Sequence, residues 1–218
     1  MQLHIYGPGG PYTPMMESAL AYFQRTGIEV FVMMGTPDQW MALARLSADC
    51  IYGGAEYMMT DFIAEFPDMI DTESITNLHA REIGIIVRPG NPLGISSLTD
   101  LCRKNARVLD IRLEKMEQLQ NRASIQGDAI SLSVLTGKEG FDIWPIRTDI
   151  DAWITYRSWH VKLAGSSDFV RLPPEERVHR KTPIAIVRNS SKRPEAEKFI
   201  EFLTSESGHM IFQKWGWE

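Results

Sequence analysis

Leu3-His4-Ile5-Tyr6-Gly7-Pro8-Gly9-Gly10-Pro11-Tyr12-Thr13-Pro14 is the stretch that decides the fold. Four strand-forming residues run into five from which regular structure is excluded by glycine and proline. Thr13-Pro14 then reads as a helix start, with Thr13 as N-cap and Pro14 at the first helical position. Met15, Ala19, Tyr22 and Phe23 recur at helical spacing, and Gly27 ends the helix.

The same device repeats downstream. Ile28 to Met33 is a second strand, and Gly35-Thr36-Pro37 opens a helix to about Leu46. Cys50-Ile51-Tyr52 is a third strand, broken by Gly53-Gly54, and a third helix runs from Glu56 to about Phe66. Strands alternating with helices mean a parallel sheet covered on both faces. In such a sheet the loops after the strands share one edge, where ligands bind. Three glycine-bearing loops in series therefore point to an anion-binding edge, since each helix start offers unpaired N–H donors.

Beyond residue 80 the pattern thins. Glu82 to Arg88 is an apolar strand closed by Pro89-Gly90-Asn91-Pro92. Leu98 to Arg103 reads as a short helix capped by Ser96 or Ser97, and Arg107 to Asp110 as a strand. Residues 111 to 126 are polar and helix-prone, and Ala129 to Leu135 also reads as helical. Ala152 to Tyr156 and Ile184 to Val187 are strands, and Pro194 to Thr204 is an amphipathic helix. No internal repeat stands out.

Composition bounds the function. The chain has 218 residues, 44% hydrophobic and 23% charged, with a formal net charge of −5. That suits one large domain or two lobes, and no basic run suggests a nucleic-acid groove. Two cysteines, Cys50 and Cys102, make no disulfide framework. No apolar stretch approaches the roughly 20 residues that span a bilayer, so no membrane insertion is expected. No signal peptide is read, because folded-looking sequence begins by Leu3. Either the protein is cytosolic or a signal has been removed.

Tyr6 to Pro11 before a helix, Asp49 with the apolar strand after it, and Gly54-Ala55-Glu56-Tyr57-Met58-Met59-Thr60-Asp61-Phe62 resemble the accessory colonization factor C proteins. These are distant relatives of the molybdate- and sulfate-binding periplasmic proteins. Arg88-Pro89-Gly90-Asn91-Pro92, Pro183 to Val187, and Pro194 to Leu203 with Lys214-Trp215-Gly216-Trp217 continue the likeness. It covers about residues 1 to 92 and 178 to 218. The stretch from about 105 to 150 matches poorly, looks shortened, and carries no clear Gly/Ser/Thr-rich counterpart of the loop by which relatives present a helix start to the ligand from the second lobe.

The resemblance implies the α/β type 2 periplasmic binding protein fold: two lobes, each a mixed, mainly parallel sheet flanked by helices. Residues 1–81 with 185–218 would form lobe 1 and 88–178 lobe 2, joined by crossing strands 82–87 and 179–184. It implies a small anion, an oxyanion such as sulfate or molybdate or a small carboxylate, held between the lobes by hinge closure. It also implies a periplasmic location, a secretory signal upstream of residue 1, and delivery to a membrane permease of the ABC transporter kind or to a receptor. A monomer is expected. A ligand-sensing domain of a regulator and an enzyme on the same fold are the rivals.

The candidate ligand-binding residues follow. Gly9 and Gly10 either let the first loop wrap a ligand or serve a tight turn. Tyr12 and Thr13 carry hydroxyls there, Thr13 as cap, ligand contact or both. Thr36, Gly54 and Ala55 occupy the other two loops. Glu56 is awkward, because a carboxylate repels an oxyanion; it caps the helix, faces away, or holds a cation or ligand N–H group. The resemblance places Tyr156 against the anion. Arg157 is a candidate bidentate clamp, and Arg81 faces the cleft just before the first crossing. The five histidines show no metal spacing. No cofactor, metal or catalytic constellation is read, so no enzymatic activity is expected.

Overall fold

The computed structural model describes residues 1–125, 127–163 and 165–218. Contacts divide the chain into two compact units, Met1–Ala80 with Arg180–Glu218, and Arg81–His179.

In the first unit β1 (Gln2–Gly7) lies between β2 (Glu29–Met34) and β3 (Cys50–Tyr52), parallel to both. β9 (Val178–Ile186) runs antiparallel to β3, with Cys50 opposite Ile186 and Tyr52 opposite Ile184. Alternate residues of these strands serve opposite faces. Leu3, Ile5, Cys50 and Tyr52 pack with Met15 and Tyr22 of α1 (Tyr12–Thr26), Phe199 of α8 (Arg193–Thr204) and Phe212 of α9 (Glu206–Lys214). Tyr6 and Ile51 pack the other way, against Trp40 of α2 (Pro37–Ser47) and Phe62 of α3 (Glu56–Glu65). Buried Asp49 ties three segments together. It accepts from His4 N–H at 2.9 Å, Ser190 Oγ at 2.7 Å and Lys192 Nζ at 3.2 Å.

In the second unit β4 (Thr76–Val87), most of which belongs here, runs antiparallel to β7 (Ala152–Tyr156) and β8 (Asp168–Arg171). β5 (Val108–Ile111) is parallel to β7 and to β6 (Ile130–Val134). Ile83, Ile85, Ile86, Trp144 and Trp153 are buried in one core with Leu98 of α4 (Leu98–Arg103). Arg88 closes that core's end, donating to the carbonyls of Trp144, Arg147 and Ile150 at 2.6 to 2.9 Å.

Several expectations need correction. Thr13 is not an N-cap. The helix already begins at Tyr12 with Pro11 as its cap residue, because Tyr12 N–H reaches Gly9 O and Met15 N–H reaches Pro11 O. Thr13 is therefore helical, and Pro14 sits in the first turn, where its missing N–H costs nothing. Ala129 to Leu135 is not helical: Ile130 to Val134 is a strand beside β5. The helix-prone run from 111 breaks into a short turn at Arg112–Glu114 and α5 (Glu117–Arg122), separated by Lys115 at φ 48°. Its expected end at Gln126 lies outside the described residues. Two helices were not foreseen, α6 (Gly137–Ile143) and α7 (Arg157–Lys162).

Candidate ligand-binding edges

Because β1, β2 and β3 are parallel, the loops after them share one edge of the first unit. The first loop leaves α1 without a side-chain cap. Gly9 and Gly10 are not among the residues with positive φ, so no left-handed turn requires glycine there. What glycine still offers is a bare backbone that a ligand can approach.

Gly7 has a different reason. A Cβ on it would lie 2.4 Å from Tyr52 O and 2.5 Å from the Tyr52 ring, which crosses over it. Tyr52 is 1% exposed, and its hydroxyl has no hydrogen-bond partner among the described residues. Burial pushes its phenol up, and neighbouring Tyr12 adds to the effect. Tyr12 and Tyr52 thus stand together beneath the start of α1. Sequence reasoning missed Tyr52, whose signal was only its place at the end of a strand.

The second loop spends its donors internally. Gly35 N–H reaches Gly7 O at 3.0 Å, and Thr36 N–H reaches Gln39 Oε1 at 2.9 Å. Thr36 is the N-cap of α2, with Pro37 following. In the third loop Gly53 N–H donates to Pro183 O at 2.8 Å. Ala55, fully buried, is the N-cap of α3. Glu56 is turned to β9, where its Oε1 accepts Lys181 N–H at 2.9 Å.

The second unit has its own edge. β5, β6 and β7 are parallel, and β4 arrives at their carboxyl ends with Ile83 opposite Tyr156. Arg81, two residues earlier, stacks on Tyr156 with its guanidinium carbon 3.7 Å from the ring centroid. Both are 2% exposed. Arg157 opens α7, where its charge helps hold the His160 imidazole below its ordinary range, after burial as the main cause. Arg81, Tyr156 and Arg157 are thus neighbours in this unit, while the other eight candidates line the edge of the first.

Sequence reasoning also missed the support beneath this edge. Glu114 accepts Thr155 Oγ1–H at 2.6 Å and Trp159 Nε1–H at 2.7 Å. Gly137 packs so closely that a Cβ would lie 2.5 Å from the Trp159 ring and 2.7 Å from Glu114. Thr136-Gly137 is the Gly/Thr helix start that the sequence was read as lacking. Thr136 caps α6, and Glu139 Oε2 takes the N–H groups of Thr136 and Leu135. Among the described residues no cluster of three or more metal-ligating side chains occurs, and no helix is long and apolar enough to cross a membrane.

The family profile described as bacterial extracellular solute-binding protein matches residues 3–115 and 112–218. The chain belongs to this family. Among solved structures, it is similar to Peb3 from Campylobacter jejuni at 25% identity and TM-score 0.81, over 99% of both chains. To the L-phospholactate-bound form of PEB3 it is 26% identical with TM-score 0.85, again over 99% of both chains. The sulfate-binding protein SubI from Mycobacterium tuberculosis shares the fold at 17% identity and TM-score 0.77, over 100% of this chain and 86% of that one. The substrate-binding domain of a molybdenum ABC transporter from Clostridium difficile shares it at 16% identity and TM-score 0.71, over 100% and 98%. No curated protein matches. The fold is therefore the mixed α/β architecture of periplasmic binding proteins.

Proposed function

We propose that this solute-binding protein captures a small anion, an oxyanion or a small carboxylate, outside the cytoplasm, and passes it to a membrane permease or receptor without chemical change. Within the family the reading favours the accessory colonization factor C group, and a monomer. The observation that carries it is the row of three helix starts on one edge of the first unit's parallel strands. Their dipoles favour an anion even on an acidic protein. Arg81 on Tyr156 and nearby Arg157 supply formal positive charge in the second unit. The L-phospholactate bound by PEB3 and the sulfate bound by SubI are both anions, which supports the class.

A thermal-shift panel of sulfate, molybdate, phosphate monoesters and small carboxylates tests the proposal. A true ligand at 100 times its Kd stabilises by about 2.7 kcal/mol. Stabilisation by none of these anions, or turnover of one that is bound, overturns it.

A further inference from the structure

The five histidines are scattered in sequence, yet the fold brings two of them into contact. His79 of β4 and His209 of α9 are 130 residues apart in the chain, and their Nδ1 atoms lie 3.0 Å apart. Both belong to the first unit, and both are half-buried. Their ring centroids are 4.7 Å apart, with the planes at 68° to each other. Phe212, three residues after His209, backs the His79 ring at 5.0 Å.

Hydrogen bonding decides which nitrogen of His79 can ligate. Leu203 O can only accept, so His79 Nε2, 2.8 Å from it, carries a proton. The neutral imidazole then has its lone pair on Nδ1, facing His209, and His209 supplies the proton between the two Nδ1 atoms. Metal-ligating histidines use this same support: one ring nitrogen ligates, and the other donates its N–H to a backbone carbonyl, which fixes the ring. The frame around the pair is tight. A Cβ on Gly208 would lie 2.3 Å from Leu203 O, so glycine is what lets α9 turn so closely off the end of α8. Next to His79, Ala80 exchanges both backbone hydrogen bonds with Glu218, at 2.8 and 3.3 Å. Glu206, three residues before His209, puts a negative charge on the same side of α9.

We propose that His79 and His209 form a two-imidazole site for a divalent transition-metal ion, which takes the place of the proton between the two Nδ1 atoms. His209 loses that proton to solvent and gains one on Nε2, so both ligands stay neutral and no proton is released overall. Metal–nitrogen bonds of about 2.0–2.1 Å that span the 3.0 Å between the Nδ1 atoms meet at about 91–97°. That is the near-right angle of tetragonal copper(II) and nickel(II), whereas a tetrahedral zinc ion needs the two nitrogens to part by roughly 0.4 Å. Copper(II) also leads in intrinsic affinity for such ligands. Water completes the shell, since the pair is only half-buried. The ion ties α9 to the start of β4. Neither histidine belongs to the anion-binding candidates, and the site does not depend on them.

The tag-free protein is titrated calorimetrically with copper(II), nickel(II) and zinc(II) at about pH 7.5, where ordinary imidazoles are neutral. Electron paramagnetic resonance of the copper(II) form counts the coordinated nitrogens. One copper(II) should bind per chain, more tightly than nickel(II) or zinc(II), and its spectrum should show two coupled imidazole nitrogens. His79→Gln and His209→Gln should each weaken copper(II) binding by at least about tenfold and leave no more than one coupled nitrogen, while remaining folded by circular dichroism. Copper(II) should raise the Tm of the wild type, and the rise should vanish in both variants. His4→Gln, on β1, should change nothing. Absence of copper(II) binding, fewer than two coupled nitrogens in the wild type, or unchanged affinity in both folded variants overturns the site. If both variants fail to fold, the spectrum of His4→Gln decides: two coupled nitrogens support the site, and fewer overturn it.

Discussion

Replacing Glu114 by alanine probes the support on which the second unit's edge rests. Glu114 is 7% exposed, and its two carboxylate oxygens separately serve Thr155 at 2.6 Å and Trp159 at 2.7 Å. Alanine orphans both donors. Each buried donor left without an acceptor costs about 1–3 kcal/mol, so the variant should lose about 2–6 kcal/mol. For a chain of this size that lowers Tm by roughly 5–20 °C. Urea unfolding followed by tryptophan emission measures the loss. Thr155→Val alone should cost about 1–2 kcal/mol, because the carboxylate loses a donor. In the Glu114→Ala background the same change should cost nothing, since the hydroxyl it removes is already orphaned. If the two costs instead add to within about 0.5 kcal/mol, the residues are uncoupled and the reasoning fails.

Gly7→Ala should cost about 1–3 kcal/mol by overpacking against Tyr52, and it should weaken anion binding by displacing the first loop; a variant with wild-type stability and affinity would contradict the close packing seen here. His79 and His160 are both held below the ordinary imidazole range, chiefly by burial. The unfolded chain therefore binds more protons as pH falls through about 6.5, and stability should drop in that direction, with His79→Gln flattening part of the drop. Lys162 has the same sign at higher pH: ligand-free protein should gain stability from pH 7 towards 10, and Lys162→Met should abolish the gain. Urea midpoints across the pH range check both, and level profiles would speak against them.

Legibility differed sharply between the two units, for physical reasons. In the first unit β1, β2 and β3 each end at or just before a glycine, and punctuation of that kind is local. The boundaries of β1, β2, β3 and the helices after them could therefore be read within a residue or two. Ile130 to Val134 could not, because Ile130 and Val134 are four apart and satisfy both a strand and a helix on so short a run. Only the intervening Leu132 between two serines favours the strand. Glu114 was invisible for another reason. Its partners Thr155 and Trp159 lie 41 and 45 residues away, and no local pattern announces a contact of that range. Arg81 and Tyr156 were chosen on separate grounds and are in contact. Arg157, selected as a clamp, opens α7 beside Tyr156.

On the anion-capture proposal, each unit's edge offers a different kind of group. The first unit offers backbone N–H groups and the hydroxyls of Tyr12, Thr13 and Tyr52, all electrically neutral. Neutral donors discriminate by geometry, because each must meet an acceptor at about 2.7–3.2 Å. Loop two contributes less than its sequence suggested, since Gly35 and Thr36 already spend their N–H groups inside the protein. Glu56, a carboxylate at this edge that would repel an anion, accepts Lys181 N–H and has a structural task. The second unit offers Arg81 and Arg157, whose charges act over longer distances and discriminate by ligand charge. An oxyanion and a carboxylate of equal charge should therefore be told apart mainly by substitutions in the first unit, and a monoanion and a dianion mainly by substitutions in the second. Tyr52→Phe and Arg157→Met, each measured against sulfate and a small dicarboxylate, separate the two effects: the first variant should change the ratio of the two affinities, and the second should lower both together.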